Sequence, residues 1–211
     1  MKNTPNSGDY SLSLNSYVIS QVPDKSVCLD VGCWTGNLGK FLKEKKDCIV
    51  DGIDVADEPL QKAKKNGYRE TYKINLNNDP LRLDQLKKYD VIIFADVLEH
   101  LVNPPAILSQ MKKKLKTDGT VIISLPNVAF LLNRLLLLFG KWDYREFGTL
   151  DKTHLRFYTI DSVQKMVESA GFTVTKVKPY NQFGLLRYIA PLTALFPSLF
   201  AYQILLVAKP K

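Results

Sequence analysis

The sequence predicts a doubly wound α/β fold, a mostly parallel sheet with helices on both faces. Three observations predict it. Short apolar runs alternate with helical patterns through the first 125 residues. The helical patterns NLGKFLKEKK, EPLQKAKKNG and PAILSQMKKKLK place lysines on an outer face. The chain has 211 residues, 45% hydrophobic and 24% charged, which suits one domain with a real core.

The apolar runs are strands by length: Val27–Val31, Ile49–Ile53, Tyr68–Ile74, Val91–Phe94 and Val121–Ser124. After Pro126 the rhythm breaks. AFLLNRLLLLFG reads as an apolar helix too short to cross a bilayer, and burial is its default. KWDYREFGTLDKTHLRFY is aromatic and has no clear period. TIDSVQKMVESAG is a helix with Thr159 as N-cap and Gly171 as its stop. FTVTKVKPY and AYQILLVAKP are two closing strands, joined by apolar chain over 183–200. From Tyr188 to Ala208 no residue is charged, but Pro191, Pro197 and Gln203 interrupt the stretch. A packed helix and a core strand are expected there, with no membrane span.

Twenty-nine basic and 21 acidic residues leave a net charge of +8, which favours phosphorylated metabolites, nucleic acid or an acidic membrane surface. No basic stripe with interleaved aromatics marks a nucleic-acid surface. The runs KEKK, KK and KKK read as solvated helix faces. Cys28, Cys33 and Cys48 form no CxxC pair and no zinc spacing, so reduced thiols and a cytoplasmic protein are expected. The polar start MKNTPNSGDYSLSLNS lacks the apolar core of a signal peptide.

The strongest local signal is VCLDVGCWTGNLGKFL. A strand ends in Asp30, and Gly32, Cys33, Trp34, Thr35 and Gly36 lead into a helix. Glycines there let the backbone approach a ligand, and a strand-to-helix junction aims free N–H groups at it. Asp54 ends the second strand, 18 residues beyond Gly36, where an acid accepts the hydroxyls of a ribose. A dinucleotide site wants G-x-G-x-x-G against a pyrophosphate, which an acid ahead of the first glycine would repel. A carboxylate there suits a ligand with an ammonium group, a nucleoside joined to an amino acid.

These residues resemble motif I of the class I S-adenosylmethionine-dependent methyltransferases. GIDVADEPLQKAK is similar to the family's second motif, with Asp54 as the ribose acid and Val55 beside it, and INLNNDPL to its third, with Asn75 and Leu76 at the adenine. YDVIIFADVLEHL and LKTDGTVIISLPN resemble the fourth strand, which ends at Asp96, and the unit after it. LLFGKWDYREFGTLDKTHLRFYT is similar to a small-molecule branch associated with glycan or quinone pathways. The resemblance implies a Rossmann-like, seven-stranded, mostly parallel sheet with an antiparallel last strand and a small cap insertion. It implies one domain: 1–22 an N-terminal lid segment, 23–127 the cofactor-binding core, 128–158 the substrate cap, 159–211 the closing helix and strand pair. The cofactor implied is S-adenosylmethionine, contacted by Asp30, Gly32, Cys33, Trp34, Gly36, Asp54, Val55, Asn75, Leu76 and Asp96. Trp34 replaces the family's middle glycine, which points to packing over the cofactor or cap, and Asn75 replaces the usual acid.

The two histidines, His100 and His154, are the candidate catalytic residues. If a helix starts after the fourth strand, Asp96, Glu99 and His100 share one face. His100 could then be a base or a wall, the three could bind Mg²⁺ with His154, or Glu99 and His100 could merely cap the helix and bond backbone. Certain quinone-pathway and small-RNA 2′-O-methyltransferases carry a similar arrangement. His154 in the cap is the candidate base for O-methylation, or alternatively a cap anchor. Asp151 and Arg156 read as an ion pair, Arg145 and Lys152 as binders of an anionic group, and the cap aromatics as packing. Tyr10 and Tyr17 could close over the cofactor. The expected acceptor is small and polar, a sugar or glycan-linked, with peripheral membrane contact open and no metal assigned. A non-catalytic cofactor-binding protein and an RNA 2′-O-methyltransferase are the alternatives, and a nicotinamide dehydrogenase stands last.

Overall fold

The computed structural model describes residues 15–181 and 190–211. Seven strands form one sheet: β1 (Val27–Val31), β2 (Ile49–Asp54), β3 (Thr71–Lys73), β4 (Tyr89–Ala95), β5 (Leu115–Pro126), β6 (Phe172–Tyr180) and β7 (Gln203–Pro210). Their order is β3-β2-β1-β4-β5-β7-β6. β1 pairs in parallel with β2 and β4, and β7 lies antiparallel to both β5 and β6. The expected architecture is therefore the one observed, with β7 inserted between β5 and β6. The strand order reverses between β1 and β4, and at such a switch point a crevice opens beyond the carboxyl ends of the strands.

Alternation along each strand sends side chains to two cores. Leu29, Ile92 and Phe94 face one, packed by α4 (Pro104–Lys112) and α6 (Ile160–Ser169). Cys28, Val91 and Ile93 face the other, with α1 (Ser16–Ile19), α2 (Asn37–Lys46) and α3 (Asp57–Lys65). All three cysteines are buried and free. α6 begins at Thr159, whose side chain accepts from Ser162 N in a capping box.

Three expectations need correction. The third strand is shorter than Tyr68–Ile74, because Tyr68 turns inward and packs its ring against Gly39 and Gly52. No α-helix starts at Asp96, whose φ is +56°; Leu98–His100 form a 3₁₀ turn instead, and α4 begins only at Pro104. The apolar helix α5 (Leu131–Leu138) is not buried: its one buried residue is Asn133. Asn133 Nδ2 donates to Val128 O (3.0 Å) and Thr149 Oγ1 (2.8 Å), so the polar side chain claims the inward position.

The chain from 190 forms two short helices, α7 (Ala190–Leu195) and α8 (Pro197–Phe200), before β7. Among the described residues, no helix is long and apolar enough to cross a membrane. Tyr17 lies against Tyr180, ring centroids 4.2 Å apart, while Tyr10 falls outside the described residues.

Candidate active site

The loop after β1 is built on positive φ: Gly32 at +72°, Trp34 at +46° and Gly36 at +79°. A Cβ on Gly36 would come within 2.7 Å of Ala63 Cα, so glycine is needed there for α2 to approach α3. Four of the loop's amides are not free, contrary to expectation. Gly32 N and Cys33 N both donate to Ile53 O (2.8 and 2.9 Å), Gly36 N to Cys33 O (2.8 Å), and Trp34 N to Asp54 Oδ2 (2.9 Å). A loop with these amides spent is a poor cradle for a pyrophosphate, which needs several unpaired N–H groups.

Asp30 lies beneath this loop. Its Oδ2 accepts from Tyr68 Oη (2.5 Å), and Tyr68 Oη in turn accepts from Gly39 N (2.9 Å). Burial pushes the Asp30 carboxyl up to about 7, against the Tyr68 bond that lowers it. Asp30, Cys33 and Gly36 thus support the loop from behind, and Trp34 stands 59% exposed above it.

In front of the loop is a cleft of about 240 Å³. Six of the ten candidate cofactor residues line it: Gly32, Asp54, Val55, Asn75, Leu76 and Asp96. Asp54 accepts from Val55 N (2.7 Å) and Ala56 N (3.1 Å) as well as from Trp34. Three of a carboxylate's roughly four acceptor positions are therefore filled, leaving one for a ligand. Asn75 Oδ1 accepts from Asn77 N (3.0 Å), and an amide oxygen has a second lone pair for another donor.

A second cavity, of about 640 Å³, adjoins the first and shares Asp96 and His100 with it. Glu99, Asp151 and His154 are among its polar lining residues, and Phe147, Gly148 and Tyr202 also line it. Asp96 is reachable from the open cleft yet ringed by protein, and loss of bulk water raises its carboxyl to about 6. The Gln203 amide opposes this, donating to Asp96 Oδ1 (3.2 Å) and Leu125 O (3.0 Å) when its nitrogen faces them.

Glu99 is buried, and among the described residues neither of its carboxylate oxygens has a hydrogen-bond partner. Burial, with Asp96 nearby, raises it well above the carboxylate range. His154 Nε2 stands 4.0 Å from Glu99 Oε1, and His154 Nδ1 is also buried and unpartnered. Burial and the neighbouring His100 lower the His154 imidazole, which favours its neutral form. The two histidine rings meet edge-on, centroids 4.8 Å apart. His100 Nδ1 faces Thr153 O (3.2 Å), an acceptor that places the proton on Nδ1 and leaves Nε2 a lone pair. One ligand atom each from Glu99, His100 and His154 lies within 4.8 Å of the others.

The cap is anchored by other groups. Leu155 N and Arg156 N donate to Glu99 O (2.8 and 3.0 Å), and Arg156 Nη2 donates to Val102 O (2.8 Å). Arg156 therefore does not pair with Asp151, which instead accepts from Thr153 N (2.7 Å) and Thr153 Oγ1 (2.6 Å). Lys152 pairs with Glu146 (2.8 Å). Trp142 and Tyr144 pack on Phe157, as the packing reading has it. With the anchoring done by the backbone and Arg156, the His154 ring faces the cavity. Tyr68, Gln203 and Thr153 escape sequence reasoning: Gln203 meets Asp96 from 107 residues away with no motif to flag it.

Comparison with known proteins identifies the family and the fold. Residues 15–177 match the model of a family described as a methyltransferase domain. A ubiquinone biosynthesis O-methyltransferase of Haemophilus ducreyi is 33% identical over 106 residues, covering 47% of this chain and 44% of that protein. The corresponding protein of Glaesserella parasuis is 35% identical over 106 residues, with the same coverage. The chain thus matches less than half the length of these relatives. Among solved structures, an S-adenosylmethionine-dependent methyltransferase from Archaeoglobus fulgidus superposes with a TM-score of 0.66 at 19% identity, covering 95% of this chain and 92% of that one. The magnesium protoporphyrin IX methyltransferase of Synechocystis, solved with bound S-adenosylmethionine, gives a TM-score of 0.56 at 17% identity, covering 93% and 76%. The chain belongs to the methyltransferase domain family, the class I S-adenosylmethionine-dependent group that its motifs resemble.

Proposed function

We propose that the chain methylates a hydroxyl of a small polar acceptor, a sugar, a glycan-linked group or a catechol-like ring, held in the larger cavity. The observation that carries this reading is the cluster of buried, unpartnered polar atoms, Glu99 Oε1 and Oε2 and His154 Nδ1, beside the wall shared by the two cavities. Buried polar atoms without partners are rare and point to a missing ligand. S-adenosylmethionine, when bound, supplies an electrophilic methyl group. Asp54, Asn75 and Leu76 hold its nucleoside, with Gly32 and Asp96 at the amino-acid end and Asp30 acting through the loop. His154, neutral at ordinary pH, takes the proton as the acceptor oxygen attacks, and His100 and Glu99 fix that hydroxyl. The division into core 23–127, cap 128–158 and closing unit 159–211, and a cytoplasmic location, belong to the same proposal.

A second reading has one observation in its favour. Glu99, His100 and His154 offer an O,N,N donor set within 4.8 Å, which fits a divalent cation that would hold the acceptor hydroxyl and favour its ionised form. The residues then act as ligands, and the base need not be His154. A screen of sugars and catechols with radiolabelled S-adenosylmethionine, run with Mg²⁺ and with chelator, tests both. His154→Ala should cut turnover by about 10²-fold or more with S-adenosylhomocysteine affinity unchanged. Calorimetric cation binding that Glu99→Gln abolishes would select the second reading.

A further inference from the structure

Helix α5 is inside out. It buries Asn133 and exposes Leu132, Leu135, Leu137 and Leu138. At about 100° per residue, Leu135 and Leu138 stand nearly opposite Asn133. The bonds from Asn133 to Val128 and Thr149 hold this orientation, since rolling the leucines inward would break them inside the protein. Single exposed leucines are ordinary, but a contiguous apolar surface marks an interaction site.

The chain at α8 is hydrogen-bonded to the start of the α5 region. Asn127 Nδ2 donates to Ser198 O (3.2 Å) and Ala201 O (2.8 Å), and Arg134 Nη2 to Ser198 O (3.4 Å), which ties the two regions together. Leu195 and Phe196 of the second region are 68% and 52% exposed. α5 follows the carboxyl end of β5, and α8 leads into the start of β7 beside it, so both lie at the sheet edge where the larger cavity opens.

We propose that this edge docks on an anionic lipid bilayer, with the tip of α5 inserted among the headgroups. Two features favour a bilayer over a second copy. The tip is convex: Leu138 and Phe139 are 76% and 75% exposed, and among the described residues nothing lies within 4 Å of the Cβ position at Gly140. A stable pairing of two copies wants matched, flat surfaces, whereas a fluid interface accepts a protruding apolar tip. The tip also has an interfacial collar, with Trp142 and Tyr144 behind it and Arg134 and Lys141 as the only charged residues from 128 to 142. Residues 190–203 carry no charge, and the whole chain is +8, so at the tip the basic Arg134 and Lys141 outnumber the acidic Asp143.

Docking does not depend on methyl transfer, and it is measured without cofactor or acceptor. The purified chain is sedimented with vesicles of phosphatidylcholine containing phosphatidylglycerol and with vesicles of phosphatidylcholine alone, and its solution mass is taken by light scattering. Binding to the anionic vesicles is expected, weaker at high salt and on neutral vesicles. Leu138→Glu with Phe139→Glu should lower it at least tenfold while keeping the melting temperature and S-adenosylhomocysteine affinity. Phe139→Trp, which conserves the apolar tip, should show blue-shifted emission on vesicles and keeps the test decisive if the double variant does not fold. A chain that stays in the supernatant overturns the proposal. So does an emission from the Phe139→Trp variant that vesicles leave unshifted, or a dimer that the double substitution splits without any vesicle binding.

Discussion

His154 Nε2 lies 4.0 Å from Glu99 Oε1, too far for a hydrogen bond, and among the described residues neither Glu99 oxygen has another partner. Both residues line the larger cavity. Glu99→Gln keeps the shape and replaces the acid, which burial favours in its neutral form, with an amide. Stability should change by no more than about 1 kcal/mol, because no bond is lost, while methyl transfer falls about 10²-fold or more. Thermal melts and turnover on one preparation check this; a destabilised enzyme with full turnover would make Glu99 structural.

Asp30 gives a pH dependence with a definite sign. Its folded pKa, about 7, lies above the unfolded value near 3.9, so the folded state holds the proton more tightly. Its contribution favours folding at low pH, declines between about pH 4 and pH 7, and levels off above. Asp30→Asn removes the titration and still accepts from Tyr68. The difference in melting temperature between variant and wild type should therefore be larger at pH 8 than at pH 4.5. Equal differences at the two values would mean that Asp30 ionises normally.

Tyr68→Phe removes one hydroxyl and strands two buried groups, the Asp30 carboxyl and Gly39 N. A loss of about 2–3 kcal/mol is expected in urea unfolding. Affinity for S-adenosylhomocysteine should weaken too, since the loop that Asp30 supports loosens.

Trp34 holds a φ of +46°, a glycine-like conformation that costs a bulky residue about 1–2 kcal/mol. Its ring is 59% exposed, so little packing offsets the strain. Trp34→Gly should leave the melting temperature equal or higher. A drop in cofactor affinity in the same variant would show that the ring covers the cofactor, as the sequence suggests.

The parallel strands and the donor cleft are legible in the sequence because they depend on local pattern. β1 falls at Val27–Val31, as its apolar run predicts, and Asp54, Asn75 and Asp96 all reach the cleft because each lies at or just past the end of a strand that stops there. What is hidden depends on contacts between distant residues. The free N–H groups expected at the first loop are consumed by Ile53 O and Asp54, which only the pairing of β1 with β2 brings near. The inversion of α5 follows from Asn133 meeting Thr149, and a leucine-rich period alone reads as burial. His100 and His154 are visible as the only histidines, but their 4.8 Å contact is set by the cap folding onto Glu99 O.

The most direct test of the paired cavities is a calorimetric titration with S-adenosylhomocysteine, with NAD as control and with and without Mg²⁺. Micromolar binding of S-adenosylhomocysteine, absent for NAD and lost in Asp54→Ala, is the predicted result. No binding, or NAD binding as tightly, would contradict the assignment of the cleft lined by Gly32, Asp54, Asn75 and Asp96 to the methyl donor.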